Sequence, residues 1–105
     1  MKSFKIAVLA GDGIGPEIMA EALKVLKVIE ARNDVSFELM PSAFGANAYF
    51  ECGHPFPQAT IDSCDAADAI LKGPISLSHE ASQKIPVDML PERAALLPMR
   101  RRYNT

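Results

Sequence analysis

Three sets of residues in this sequence are of types that could bind or transform a ligand. The first is the stretch 9–18, LAGDGIGPEI, in which Gly11, Gly13 and Gly15 are crowded ahead of Pro16. Backbone amides in such a turn, followed by a helix N-terminus, can meet an anion or the edge of a ligand. Two specific phosphate motifs are excluded. The dinucleotide fingerprint needs a glycine where Pro16 stands, and the Walker loop needs a Gly-Lys-Ser/Thr that does not follow. Spacing alone therefore leaves a plain strand-to-helix turn and a ligand-facing turn both open.

The second set is the run Arg100, Arg101 and Arg102. A guanidinium offers a planar fork suited to a carboxylate, although three arginines in a row equally describe a solvated basic turn. The third set is scattered. Cys52 and Cys64 lie twelve residues apart, a spacing of neither a zinc pair nor a redox dithiol, so they read as free thiols. His54, before Pro55, reads as part of a turn, and His79 in SLSHEAS as a solvated loop residue.

The elements that must position these groups follow from periodicity and punctuation. Residues 4–9, dominated by Ile6, Val8 and Leu9, suit a strand buried on both faces and stopped at Gly11. Pro16 fits the first helical turn and Glu17 its positive end, so a helix is expected from there to Arg32 or Asn33. Its apolar stripe is expected at Ile18, Ala22, Val25, Leu26 and Ile29. Val35, Phe37 and Leu39 alternate in a second strand over 35–40, which completes a βαβ unit. Residues 46–50 suit a helical turn, 58–66 a second helix and 67–73 a third strand closed by Gly73. Pro74, Pro86 and Pro91 forbid a long helix, so an extended surface loop is expected after Gly73. A short helix in ERAALLPMRRRY then starts or kinks at Pro98.

A length of 105 residues is that of one small domain. A composition of 49% apolar and 23% charged residues with a net charge of −2 fits an ordinary α/β protein and gives no reason to expect nucleic acid. No apolar stretch approaches the ~20 residues needed to cross a bilayer, so a soluble, cytoplasmic chain is expected.

Three stretches, in order, resemble one family. KIAVLAGDGIGPEIMAEALKVL contains the whole Gly-Asp-Gly-Ile-Gly-Pro-Glu signature of the β-decarboxylating dehydrogenases, the isocitrate and isopropylmalate dehydrogenase family. ADAILKGPI is similar to that family's third strand and the cofactor-facing loop after it, and LPERAALLPMRRRY to its arginine motif, in the form of the isopropylmalate branch. The resemblance implies a non-Rossmann α/β fold, here its βαβαβ N-terminal part followed by an irregular loop and a short helix. It makes residues 1–105 a single incomplete domain, the N-terminal third of a larger enzyme, either a fragment or a natural truncation.

The same resemblance implies an NAD-dependent oxidoreductase that oxidises and decarboxylates a 2-hydroxy dicarboxylic acid. The 3-isopropylmalate type is favoured, with tartrate or malate, homoisocitrate and isocitrate as other family substrates. It places Ile14 near the cofactor and Gly73, Pro74, Ile75 and Ser76 at the nicotinamide ribose, with Asp12 bracing the turn. Arg100 would hold the substrate carboxylate. Leu96 and Leu97 would meet an alkyl group or simply be core, while Arg101 and Arg102 would remain surface charges. The Mg²⁺ or Mn²⁺ ligands and the acid/base lysine and tyrosine of the family fall outside this sequence. No catalytic or metal-ligating residue is therefore expected within it, and the isolated chain is expected to be inactive. The full-length form is expected to be a homodimer. From residue 73 to 86 the sequence departs from the isopropylmalate pattern, lacking its glycine pair and tryptophan. A non-catalytic remnant or regulatory subunit that keeps the fold for subunit pairing is the alternative. With only two clear helices for three strands, apolar surface at 35–40 and 68–73 is expected to be left uncovered.

Overall fold

The computed structural model describes residues 2–75, 80 and 83–104. The elements run β1 (Lys2–Leu9), α1 (Gly15–Arg32), β2 (Val35–Pro41), α2 (Ala46–Cys52), α3 (Gln58–Ala66) and β3 (Ala69–Lys72). A 3₁₀ turn at Val87–Met89, a π-helical turn at Glu92–Leu96 and α4 (Leu97–Tyr103) complete the order. The three strands form one parallel sheet in the order β2-β1-β3. Lys2 is opposite Val35 and Ile6 opposite Leu39 on one side of β1, and Ile6 is opposite Ala69 on the other. This is the expected α/β architecture of the βαβαβ type.

The strand order fixes the layers. From β1 the chain crosses to one neighbour and then returns past β1 to the other. Right-handed crossovers therefore set α1 on one face of the sheet and α2 and α3 on the opposite face. The pleat agrees, since alternate side chains point to opposite faces. Ala7 and Leu9 enter the main core with Phe44, Phe56, Cys64, Ala95 and Met99, and Val8 is buried on the α1 side. Phe44 and Phe56 meet edge to face with centroids 5.5 Å apart. The carbonyl of Ala43 accepts a hydrogen bond from buried Thr60, which ties α3 beneath this pair.

Three expectations need correction. β1 is buried only in its second half; Lys2 to Lys5 are exposed, and β3 pairs with β1 only from Ile6 onward. On α1, Ala22 and Leu26 of the expected stripe are half-buried, joined by Met19 and Leu23, whereas Ile18, Val25 and Ile29 stand 48, 59 and 37% exposed. The helix carries two apolar stripes, and the second, rather than the strands at 35–40 and 68–73, bears Ile18, Val25 and Ile29 among the large uncovered apolar side chains. The segment after Gly73 is not wholly an extended surface loop either. Ile85 and Pro91 are buried, and residues 87–89 coil into the 3₁₀ turn. The short helix does start at Pro98 as expected: the proline sits in the first turn of α4, directly after the π-helical turn.

Candidate functional site

The glycine loop is built for backbone-to-backbone contact. Asp12 N donates to Pro74 O at 2.9 Å, and Gly73 N donates to Leu9 O at 2.6 Å. A Cβ on Gly11 would collide with the Pro74 carbonyl, and one on Gly15 or Gly73 with the Ala10 carbonyl. Gly11 also has φ +82°, a conformation that L side chains rarely adopt. The three glycines therefore let the loop before α1 and the loop after β3 touch. The turn itself closes through Gly15 N donating to Asp12 O at 2.8 Å.

Asp12 does more than brace its own turn. Its carboxylate is buried and accepts hydrogen bonds from Ala46 N at 2.9 Å and Asn47 N at 3.0 Å, the first two residues of α2. A carboxylate at the positive end of a helix satisfies amides that the helix itself leaves unpaired. Asn47 returns the contact, its side-chain amide reaching the Gly11 carbonyl. Ile14, at the tip of the loop, is 58% exposed. Of the other residues assigned to the cofactor, Gly73 and Pro74 form the contact just described and Ile75 packs on the main core. Ser76, and with it His79, lies outside the described residues.

The arginine motif is presented by the last helical stretch. Pro98 has no N–H to donate, which disturbs an α-helical ladder. The turn before it takes π register, with Leu97 N donating to Glu92 O five residues back. Leu96 then packs against the core, while Leu97 is 52% exposed and Arg100, one turn further on, is also exposed. The two leucines thus separate into one core residue and one presented beside Arg100, as residues three apart on a helix must be.

Arg102 is not a bare surface charge. Its Nε and Nη2 donate to Asp65 Oδ1 and Oδ2 at 3.0 and 2.6 Å, and the Tyr103 hydroxyl donates to Asp65 Oδ1 at 2.7 Å. This clasp fastens α4 to α3. The hydrogen bonds from Arg102 and then Tyr103 hold the Asp65 carboxyl at about 2. Burial, and then the bond to Asp65, push the Tyr103 phenol up to about 12. Burial also raises the Cys64 thiol, with the Asp65 charge adding to it. Sequence reading missed the clasp because its partners stand 37 and 38 residues apart with no local signal.

His54 forms part of a turn as expected, its Nδ1 accepting from Phe56 N at 2.9 Å. It also lines an open cleft of about 360 Å³ with Phe56, Met89, Pro98 and Arg102. The cleft touches α4, but neither Leu97 nor Arg100 is among its walls. Cys52 and Cys64 are free thiols, the first exposed and the second buried. Among the described residues no cluster of three or more His, Cys, Asp or Glu side chains could hold a metal ion. No helix among them is long and apolar enough to cross a membrane.

A family model described as isocitrate/isopropylmalate dehydrogenase matches residues 5–105. The chain belongs to this family. The 3-isopropylmalate dehydrogenase of Haemophilus influenzae (strain ATCC 51907 / DSM 11121 / KW20 / Rd) is 46% identical over 104 residues, covering 99% of this chain and 28% of the relative. That of Geobacter sulfurreducens is 49% identical over 101 residues, covering 96% of this chain and 27% of the relative. The chain thus spans under a third of the length of these relatives. Among solved structures, the apo β-decarboxylating dehydrogenase of Thermococcus kodakarensis superposes with a TM-score of 0.64 at 28% identity, over 93% of this chain and 26% of its own. The isocitrate dehydrogenase of Methylococcus capsulatus gives 0.58 at 34% identity, over 72% and 21%. Both of these curated relatives carry the 3-isopropylmalate dehydrogenase name. The touching glycine and post-β3 loops and the Leu97–Arg100 pair are therefore features of a chain of this family.

Proposed function

We propose that these 105 residues supply the substrate-carboxylate grip and part of the cofactor lip of an NAD-dependent dehydrogenase acting on a 2-hydroxy dicarboxylic acid of the 3-isopropylmalate type. The observation that carries the reading is the presentation of Leu97 and Arg100 side by side on the exposed face of α4. A guanidinium there can take a carboxylate through two parallel hydrogen bonds, and the leucine beside it offers an apolar surface to an alkyl substituent. A third substrate carboxylate, as in isocitrate, would be desolvated against that leucine with no partner, which disfavours it. Leu96 takes no part in this grip, since it packs into the core.

Ile14 and the Gly73–Pro74 backbone, joined by the contact between their loops, would face the cofactor, with Ser76 following them. NAD, when bound, supplies the hydride acceptor. Loss of the β-carboxylate as carbon dioxide then calls for a Lewis acid, and Mg²⁺ or Mn²⁺ would be held by carboxylates from the remainder of a family enzyme. The same remainder would bring the acid/base groups and the homodimer contacts, with the cytoplasm as the setting.

A chimera tests the reading. This chain replaces the matched 28% of the Haemophilus influenzae enzyme, and kcat/KM is measured for 3-isopropylmalate and isocitrate. The expected result is turnover of 3-isopropylmalate in clear preference to isocitrate. A folded chimera that favours isocitrate overturns the substrate assignment.

A further inference from the structure

The cleft beside α4 has no part in the grip proposed above, and its walls combine an apolar floor with polar groups of both charges. The floor is Phe56 from the turn before α3, Ile61 from α3 and Met89 from the 3₁₀ turn. Three polar residues complete it, each with bonding capacity that the fold leaves unused. His54 accepts at Nδ1 from Phe56 N, and a ring that accepts there carries its proton on Nε2, which is therefore a donor. Arg102 commits Nε and Nη2 to Asp65, a residue outside the cleft walls, which leaves the two N–H groups of Nη1 without a partner. The carboxylate of Asp88 makes no hydrogen bond or ion pair with any described residue. A cation and an anion thus line the same cleft without pairing with each other.

We infer that this cleft is a small-molecule site for an α-amino acid with an apolar side chain. The ammonium pairs with Asp88, the carboxylate takes the Nε2 donor of His54 and the open edge of Arg102, and the side chain lies on Phe56, Ile61 and Met89. A ligand must carry both charges beside an apolar group to satisfy all of these walls. An apolar acid leaves Asp88 as a facing like charge, an apolar amine does the same with Arg102, and a dicarboxylic acid sets a charge against the floor. The volume of about 360 Å³ stands at the small end of the ~300–1,000 Å³ usual for ligand pockets, which suits one amino acid and excludes a dinucleotide. The two bonds to Asp65 hold the guanidinium in place before a ligand arrives, so little side-chain freedom is lost on binding.

Equilibrium dialysis of the 105-residue chain against radiolabelled L-norleucine tests the inference, with no dependence on turnover. Saturable binding of a single molecule per chain is expected. Hexanoate, pentylamine and glycine lack the ammonium, the carboxylate and the side chain in turn, and each should compete at least ~10-fold more weakly than norleucine itself. Asp88→Asn, at an exposed and unpaired position, is expected to weaken norleucine binding at least ~10-fold. Glu51→Gln, which removes an exposed carboxylate on α2 outside the cleft, should leave it unchanged. Thermal melts check that both variants fold, and the competition series tests the same claim with no substitution at all. Absence of saturable binding, equal competition by hexanoate or pentylamine, or unchanged binding by Asp88→Asn overturns the inference. So does displacement of norleucine by 3-isopropylmalate, because the amino acid would then sit on Arg100. A chimera that turns nothing over counts against the proposed substrate grip and leaves the dialysis result standing.

Discussion

The carboxylate of Asp12 occupies the space in which a side chain on Gly45 would begin, and a Cβ built there meets Oδ2 at 2.5 Å. Gly45 also has φ +89° and ψ −157°, a combination open essentially to glycine alone. Gly45→Ala is therefore expected to cost roughly 1–3 kcal/mol from backbone strain and more from displacing Asp12. Gly53, at φ +84° with nothing within 4 Å of a built Cβ, is the control. Gly53→Ala should cost only ~1 kcal/mol. Urea midpoints of the two variants measure the difference, and equal losses would show that the Asp12 contact carries no weight.

Asp12→Asn keeps the shape but replaces one acceptor oxygen by a donor against two buried amides. An expected loss of ~1–3 kcal/mol for the unsatisfied group should appear in the same urea experiment. Hydrogen exchange at Ala46 and Asn47 should quicken more than exchange in β1, since α2 loses its anchor first.

The Asp65 clasp sets a pH dependence whose sign is fixed. The carboxyl falls from an ordinary 3.8 to about 2 in the folded chain. A group with a lowered folded pKa contributes stability above its unfolded value and loses it as pH drops through the folded one. Stability from the clasp is thus complete above about 4 and lost between there and about 2. Tyr103 acts at the other end: raised from 10 to about 12, it contributes fully below 10 and loses that contribution as pH rises through 12. Thermal melts from pH 2 to 6 should show the acid decline, and Asp65→Asn should flatten it. An unchanged slope in the variant would assign the decline to other carboxylates.

Thiol chemistry separates the two cysteines. The thiolate is the reactive form, so the buried Cys64, with its pKa raised, should react far more slowly than exposed Cys52. A disulfide reagent is expected to titrate one thiol rapidly in the native chain and the second only on unfolding. Two fast thiols would mean that α3 opens readily.

In the chimeric enzyme, Arg100→Lys is expected to lower kcat/KM for the hydroxy acid at least ~10-fold while leaving the cofactor KM nearly unchanged, because an ammonium cannot reproduce a bidentate fork. An effect within twofold would remove Arg100 from the substrate grip. The isolated chain, assayed with NAD, Mg²⁺ and 3-isopropylmalate, should give no reduced cofactor above a heat-treated control.

Sequence reading succeeded where the determining physics is local. Pro16 and Glu17 marked the start of α1, Asn33 its end, and Gly53 and Gly73 the ends of α2 and β3, because each acts on its own backbone. It failed on α1's orientation for a definite reason: periodicity finds an apolar stripe but cannot say which of two stripes meets the sheet. Pro98 announced a disturbance in the last helix, yet the π-helical turn that absorbs it depends on where Leu96 must pack. At the candidate site, motif order put forward Ile14, Leu97 and Arg100, and all three are exposed. The partners of Asp12 and Arg102, 34 to 37 residues away, were not legible.

The sheet order β2-β1-β3 has a consequence for biosynthesis. The central strand is made before either of its neighbours, so β1 leaves the ribosome with both hydrogen-bonding edges bare and acquires its first partner only after the whole of α1 has been translated. During that interval α1 can form by itself from local bonds, whereas β1 cannot. The nascent segment at greatest risk of misassociation is thus the apolar Ile6–Leu9 run. A chaperone that holds the chain until Val35 to Pro41 emerges would protect the strand on which the other two are laid.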